Sequence, residues 1–418
     1  MSKKRVYANL EIADQEVRLV VLEVFESRYN VLRKEIVACP GVIGSKIIDE
    51  AAVVTAIREA TRRAQVALGY RIERVLLLIP SVNVKRSMQK VHVQIEDGTR
   101  SIRLFHIQQG YQKAIQKRLG DDVEFVNINR IEYIVNGNRT SKIPLGEECD
   151  GFYMDVDLLY ADRNVLYSFA RCVEQANLEI LDLSIDTYAC GQETAALMQS
   201  DDRSIIQIAL EANHTSMSFF AQQKLMSVAD IKKGYKWFIS PIQEKYQLSD
   251  EVCYRLLENL FSSKEEENGD IVIFIEQKEN VRVDLTAREV AEVVLPRMRK
   301  WIDEINAACE PIVCQGKSKY ILIGKGSNIP IMTEFEEKFN ATAIVYDPTS
   351  VGARDSSLIG DLGMTYVWQD VNRIRHDDRI SVNNNELEAS IDSIRHHSKD
   401  GEGGFTRKIK SVILQEKA

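Results

Sequence analysis

Twice along this chain one order of elements can be read: paired strands, a crossover helix and a short buried strand. In the first round, residues 6–24 and 29–39 are rich in β-branched residues and flank a polar turn at Glu26-Ser27-Arg28, which predicts a hairpin of long strands. A helix is expected over 49–68. There Ala52, Val53, Ala56, Ile57, Ala60, Ala64 and Ala67 recur at helical spacing, and Gly69 suits the C-cap. The apolar run 74–79 is a buried strand stopped by Pro80. The second round has strands at 204–210, 215–220 and 225–231, helices at 235–246 and 249–260, and a strand at 271–276. Thr286 then starts a helix running toward Ala308, with Glu289 at the capping-box position. Two rounds of sheet and crossover helix without repeated sequence predict an α/β protein of two similar lobes.

Between the rounds the texture changes. Residues 87–95 alternate, a helix fits 106–119, and strands fit 123–129, 131–135 and 151–159, with Asn136-Gly137 as a type I′ hairpin signal. This predicts a small α+β insert. Helix 163–177, strand 179–185 and helix 187–198 complete the first round.

The late stretch YILIGKGSNIPIMTEFEEKF (320–339) reads as a strand, a glycine loop (Gly324-Lys325-Gly326-Ser327-Asn328) and a helix opening near Pro330. Glycines let backbone approach a ligand, and a helix start favours anions. Two-glycine turns also serve simply to pack a helix on a sheet. A short strand at 343–346 follows.

Composition removes several function classes. The chain of 418 residues has room for roughly two to three domains. Its 44% hydrophobic and 28% charged content is that of a globular protein. A net charge of −8 argues against nucleic-acid binding by the whole chain. Seven scattered cysteines without a CxxC pair indicate a reducing cytosol, with no disulfide framework or structural zinc. The histidines have no metal-ligand spacing, and neither a signal-peptide core nor a membrane span is legible.

Residues 372–403 are polar and low in aromatics, which reads as a disordered linker. Beyond it, Phe405, Ile409, Val412 and Ile413 share one helical face, with Arg407, Lys408 and Lys410 on the flanks and opposite side. A tethered basic amphipathic helix is built like an interfacial membrane anchor. The alternatives are a helix docked on the body and a partner-binding helix.

This order of elements, with YDPTSVGARDSS (346–357) and LPRMRKWIDEI (295–305), resembles the bacterial actin-like division family FtsA over essentially the whole length. The resemblance implies a two-lobed actin-like fold: 1–82 and 167–203 as the first lobe, 83–166 as an insert for self-association, 204–233 and 318–370 as the second lobe, and 234–317 as its subdomain. It makes 371–403 a flexible linker and 404–418 a membrane-targeting helix. The implied partners are the FtsZ C-terminal tail, further copies of the chain and anionic membrane lipids. The implied place is the cytoplasmic face of the membrane at the division site. For the tail, the resemblance points to Arg297, Arg299 and Lys300 on the long helix. The family's phosphate hairpins, LDIGTS and DIGGGTT, here read LEIADQ (10–15) and QIALEANHTS (207–216). Asp14 puts a negative charge where a phosphate should lie, and the glycines whose amides curl round phosphate are gone. Glu11, Thr215, Gly324, Gly326 and Ser327 remain as the residues for ATP. Nucleotide binding is therefore disfavoured and hydrolysis is not expected, with no catalytic or metal residue assigned. The competing readings are an actin-like ATPase or kinase using Glu11, and an actin-like component of pilus assembly.

Overall fold

The computed structural model describes residues 4–387 except 27, 261, 263, 265, 266, 279, 280, 351 and 384. Two five-stranded sheets repeat one design. The first runs Glu179–Ile185, Arg74–Ile79, Arg5–Ala13, Glu16–Phe25, Arg28–Ala38; the second runs Thr342–Val345, Ser318–Ile323, Ser204–Leu210, Thr215–Ala221, Lys224–Ile231. In each, an antiparallel meander carries two parallel strands on its first member. Parallel neighbours need crossovers. The helix Glu50–Leu68 supplies the first of them, N-capped by Asp49, whose carboxylate accepts from Ala52 N–H at 3.1 Å, and closed by Gly69 at φ 78°.

Two large apolar clusters fill the lobes, and the first also takes in Ile205, Phe220, Leu225, Ile321 and Ile323 from the second sheet. Tyr7, Leu77, Phe169 and Trp368 belong to the first, and Phe238, Trp301, Leu322 and Phe335 to the second. A third core lies in the insert, where Gly151–Asp162 pairs with Lys85–Gln94 on one side and Val123–Val135 on the other, and the helix Leu104–Ile115 packs on the sheet. Asn136 and Gly137 take φ 50° and 83°, as the type I′ signal requires.

Several expectations need correction. Residues 6–24 are two strands, because the chain turns at Asp14-Gln15 with Gln15 at φ 67°. Residues 123–129 and 131–135 are one strand, paired along its length to Gly151–Asp162 with register shifts at Asn129 and Val126. The expected helix 187–198 breaks at Ala195, φ 54°. The segment opening at Pro330 is a 3-10 helix, Pro330–Lys338. The strand expected at 271–276, here Val272–Lys278, pairs with a further strand, Val281–Thr286.

The helix Ile359–Arg375, expected with the second lobe, packs in the first. A Cβ on Gly363 would meet the Ala189 carbonyl oxygen, and Asn9 Nδ2 donates to Thr365 Oγ1 at 2.8 Å. The expected linker also begins too early. Ser381 Oγ accepts from Ala8 N–H (2.8 Å), its N–H donates to Val6 O (3.0 Å), and its carbonyl accepts from Glu73 and Arg74 N–H (2.8 and 3.1 Å). Ile380, Val382 and Leu387 are buried. Backbone pairing and three apolar side chains hold 377–383 and 385–387 to the base of the first sheet, despite their polar composition. The amphipathic segment 404–418 lies outside the described residues.

One strand of the insert touches both lobes. Asn127 Oδ1 accepts from Ile185 N–H of the first lobe at 2.9 Å. Two residues on, Asn129 donates to Leu225 O and accepts from Leu225 N–H, both at 2.9 Å, on the edge strand of the second lobe. Both asparagines are buried, so these bonds replace lost hydration.

Candidate functional site

The tips of the two meanders face each other across the cleft between lobes, the place where the phosphate hairpins were expected. Glu11 and Arg18 are cross-strand partners in the first meander. Arg18, 2% exposed, donates to Glu11 (3.1 Å) and Glu16 (2.7 Å) of its own lobe, to Ser357 O (2.8 Å), and across the cleft to Glu211 (3.0 Å). Asp14 accepts from the backbone and side-chain amides of Asn213, each at 2.8 Å, while His214 Nδ1 stands 3.6 Å away. Lys325 reaches Glu16 at 2.7 Å, and Lys236 donates to Gln15. Side chains of the first meander thus meet partners from the second lobe's own hairpin, helix and glycine loop.

The electrostatics follow from burial. Three carboxylates surround one guanidinium, and with Lys325 on Glu16 one negative charge is still poorly compensated. Burial pushes Glu11 up to about 7, with Glu211 and Asp186 adding to the rise and Arg18 opposing it. Asp186 rises to about 6, again through burial. Asp361 is buried beside them without a partner for either carboxyl oxygen; burial, then Glu11, hold it well above the carboxylate range. Asp14 goes the other way. Burial alone would raise it, but His214 and the amides of Asn213 and Gly44 bring it to about 2.

Glu11 and Asp186 have folded-state pKa values above their unfolded ones, so their contribution is complete below the unfolded values and is lost as pH rises through about 6 to 7. Asp14 contributes above its unfolded value and loses that only as pH falls toward 2. The melting midpoint is expected to fall between about pH 5 and 8, roughly one unit either side of the two raised carboxyls. Glu11→Gln should flatten that slope and stabilise the protein at the alkaline end. Melts with equal slopes for parent and variant would refute the assignment.

The residues retained for a nucleotide are engaged within the protein itself. Glu11 is held by Arg18. Thr215 is fully buried, accepting from Trp301 Nε1 (2.9 Å) and donating to Lys233 O (2.7 Å). Gly324, at φ 86°, borders the cleft, but a Cβ there would meet Glu211 Oε1 at 2.8 Å and Leu210 O at 2.9 Å. At Gly326 a Cβ would fall 2.4 Å from Leu210 Cγ, and Ser327 Oγ donates to Gly324 O. The glycines are needed to seat the loop on the strand Ser204–Leu210. The cavity left among Glu11, Asp14, Arg18, Asp186, Glu211 and Gly324 holds about 60 Å³, against roughly 300–1,000 Å³ for ordinary ligand pockets. An ATP–metal group does not fit these residues as they stand. Among the described residues no cluster of His, Cys, Asp or Glu has the form of a metal site, and no helix is long and apolar enough to cross a membrane.

The comparisons with known proteins agree with the architecture. No family model matches the chain. The FtsA of Streptococcus pneumoniae serotype 2 (strain D39) is 21% identical over 363 residues, 85% of this chain and 78% of that one. The FtsA of Bacillus subtilis (strain 168) is 20% identical, over 87% and 83% of the two chains. The chain is similar to FtsA. Among solved structures, the PilM-PilN type IV pilus biogenesis complex matches with a TM-score of 0.57 at 14% identity, covering 87% of this chain and 98% of that one. MreB5 of Spiroplasma citri bound to ADP matches at 0.50 and 10% identity, over 89% and 99%. The fold is actin-like. The sequence resemblance to FtsA therefore holds.

Three further positions taken from that resemblance lie together on the helix Ala287–Val313. Arg297 is turned inward, donating to Trp237 O (2.6 Å) and Ser240 Oγ (3.1 Å) with its guanidinium over the Trp237 ring. Arg299 and Lys300 are exposed. Arg18 and Glu211 were missed in the sequence. The signal was there: in Glu16–Phe25, Arg18 shares strand parity with Val20 and Leu22, both buried, so its charge had to be buried and paired.

Proposed function

We propose that this chain is a self-associating, actin-like cell-division protein that acts as an adaptor between FtsZ and the membrane. The observation that carries the reading is the similarity to FtsA, which runs through both lobes and the insert. In this reading 83–166 is the self-association insert, 404–418 lies on anionic lipid at the division site, and the FtsZ tail binds the helix Ala287–Val313. The adaptor does not hydrolyse ATP. The side chains bridging its cleft take the place of a bound nucleotide in holding the lobes together, so its assembly is independent of nucleotide.

Binding of a fluorescent FtsZ C-terminal-tail peptide to the full chain tests this. Arg299→Glu with Lys300→Glu should weaken the tail by about tenfold or more, as expected for rim charges acting in concert. A change at Arg297 should instead disturb packing on Trp237. A tail that does not bind the parent refutes the adaptor, whereas unchanged affinity in the double variant refutes only this tail site.

A further inference from the structure

The described chain ends at a particular place. After crossing the base of the first sheet, its last residues lie against the C-terminal end of the helix Glu50–Leu68: Arg71 N–H donates to Glu386 Oε2 at 2.8 Å, and Leu387 is buried in the first core. Thirty-one residues, 388–418, follow from this point, including the basic segment 405–413.

The exposed side of that helix differs in charge from the rest of the protein. The chain as a whole carries −8, yet this face presents Arg58, Arg62, Arg63, Val66 and, just past its end, Arg71. Two carboxylates are set among them: Glu59, bridged to Arg62 and Arg63 at 2.9 and 2.7 Å, and Glu386, 3.8 Å from Arg71. Val66 is 74% exposed, and the Arg62 and Arg71 side chains are 63% and 79% exposed. An apolar side chain ringed by arginines, on the surface from which a basic amphipathic segment departs, has the charge and polarity of a lipid-contacting face.

We propose that this face is a second membrane contact, in which anionic headgroups take Arg62, Arg63 and Arg71 while Val66 enters the interface. The inference rests on the membrane-tethered reading above and adds an orientation to it. The base of the first lobe faces the lipid, and the helix Glu50–Leu68 lies along the surface. The occupant is an anionic bilayer because the chain's exit and the arginines share one side.

The test uses the full chain with phosphatidylcholine vesicles, with and without phosphatidylglycerol, in two measurements. Arg62→Gln, Arg63→Gln and Arg71→Gln together should lower partitioning onto the anionic vesicles by one to two orders of magnitude, at roughly fivefold per charge near such a surface. In a Val66→Trp variant, emission should shift to the blue and be quenched by brominated lipid when anionic vesicles are added, relative to the parent. The second readout stands even if the triple variant folds poorly. If the triple variant partitions like the parent and the indole introduced by Val66→Trp is unquenched, while a chain ending at Gly403 no longer sediments, the tether survives and this face is overturned. If the full chain ignores anionic vesicles altogether, the membrane reading fails and the face with it.

Discussion

Arg18→Met is expected to cost about 3–5 kcal/mol of unfolding free energy, the range for removing one partner of a buried ion pair. The volume is nearly conserved, so the loss is electrostatic. Glu16 keeps Lys325, but Glu11 and Glu211 are left facing each other without a cation, and the Ser357 carbonyl loses its donor. Glu11, which burial already raises and Arg18 opposes, takes up a proton more readily, so the variant should lose stability more steeply with rising pH than the parent does. Combining Arg18→Met with Glu11→Gln and Glu211→Gln should recover most of the loss, because an uncharged cleft has no uncompensated carboxylate to bury. Urea melts at two pH values check this. A single substitution costing under about 1 kcal/mol, the level of an exposed pair, would mean that the lobes are not joined through Arg18.

Ending the chain at Gly403 is expected to abolish co-sedimentation with anionic vesicles, whether or not ATP is present. The segment 405–413 brings Phe405, Ile409, Val412 and Ile413, each worth at most about 1.5–3 kcal/mol if fully buried, and three basic residues at about 1 kcal/mol each near anionic lipid. Side chains at an interface are only partly buried, so a single copy should bind weakly. Copies presented together on an oligomer should bind cooperatively, which predicts that sedimentation rises steeply with protein concentration. Sedimentation that depends on ATP would overturn the account of the cleft, and sedimentation unchanged by the truncation would overturn the anchor.

The sequence was most informative where local rules act alone. The strands Arg74–Ile79 and Glu179–Ile185 fall on their expected bounds, as does the helix Tyr235–Tyr246. The capping box of Thr286 and Glu289 forms as its spacing indicates. It was least informative where distant residues settle the matter. Gln15 turns the chain inside what looked like one strand because both halves then pair. Residues 377–387 look like linker because composition counts side chains, whereas Ser381 is held by backbone groups of two strands more than 300 positions away in sequence. The glycine loop was ambiguous for a related reason: a ligand and the neighbouring strand both need the absent Cβ, and only the packing of Leu210 distinguishes them.

The stitching of Ser381 also sets how the molecule carries mechanical load. If the segment beyond residue 387 is held while the rest of the protein is pulled by its partners, the force meets buried Leu387 and the Glu386–Arg71 bond and then reaches Ile380–Val382. It passes directly to Val6, Ala8, Glu73 and Arg74, on the strands Arg5–Ala13 and Arg74–Ile79 or at their edge. These strands are interior members of the five-stranded sheet, so tension is shared by the whole lobe rather than peeling away a surface helix.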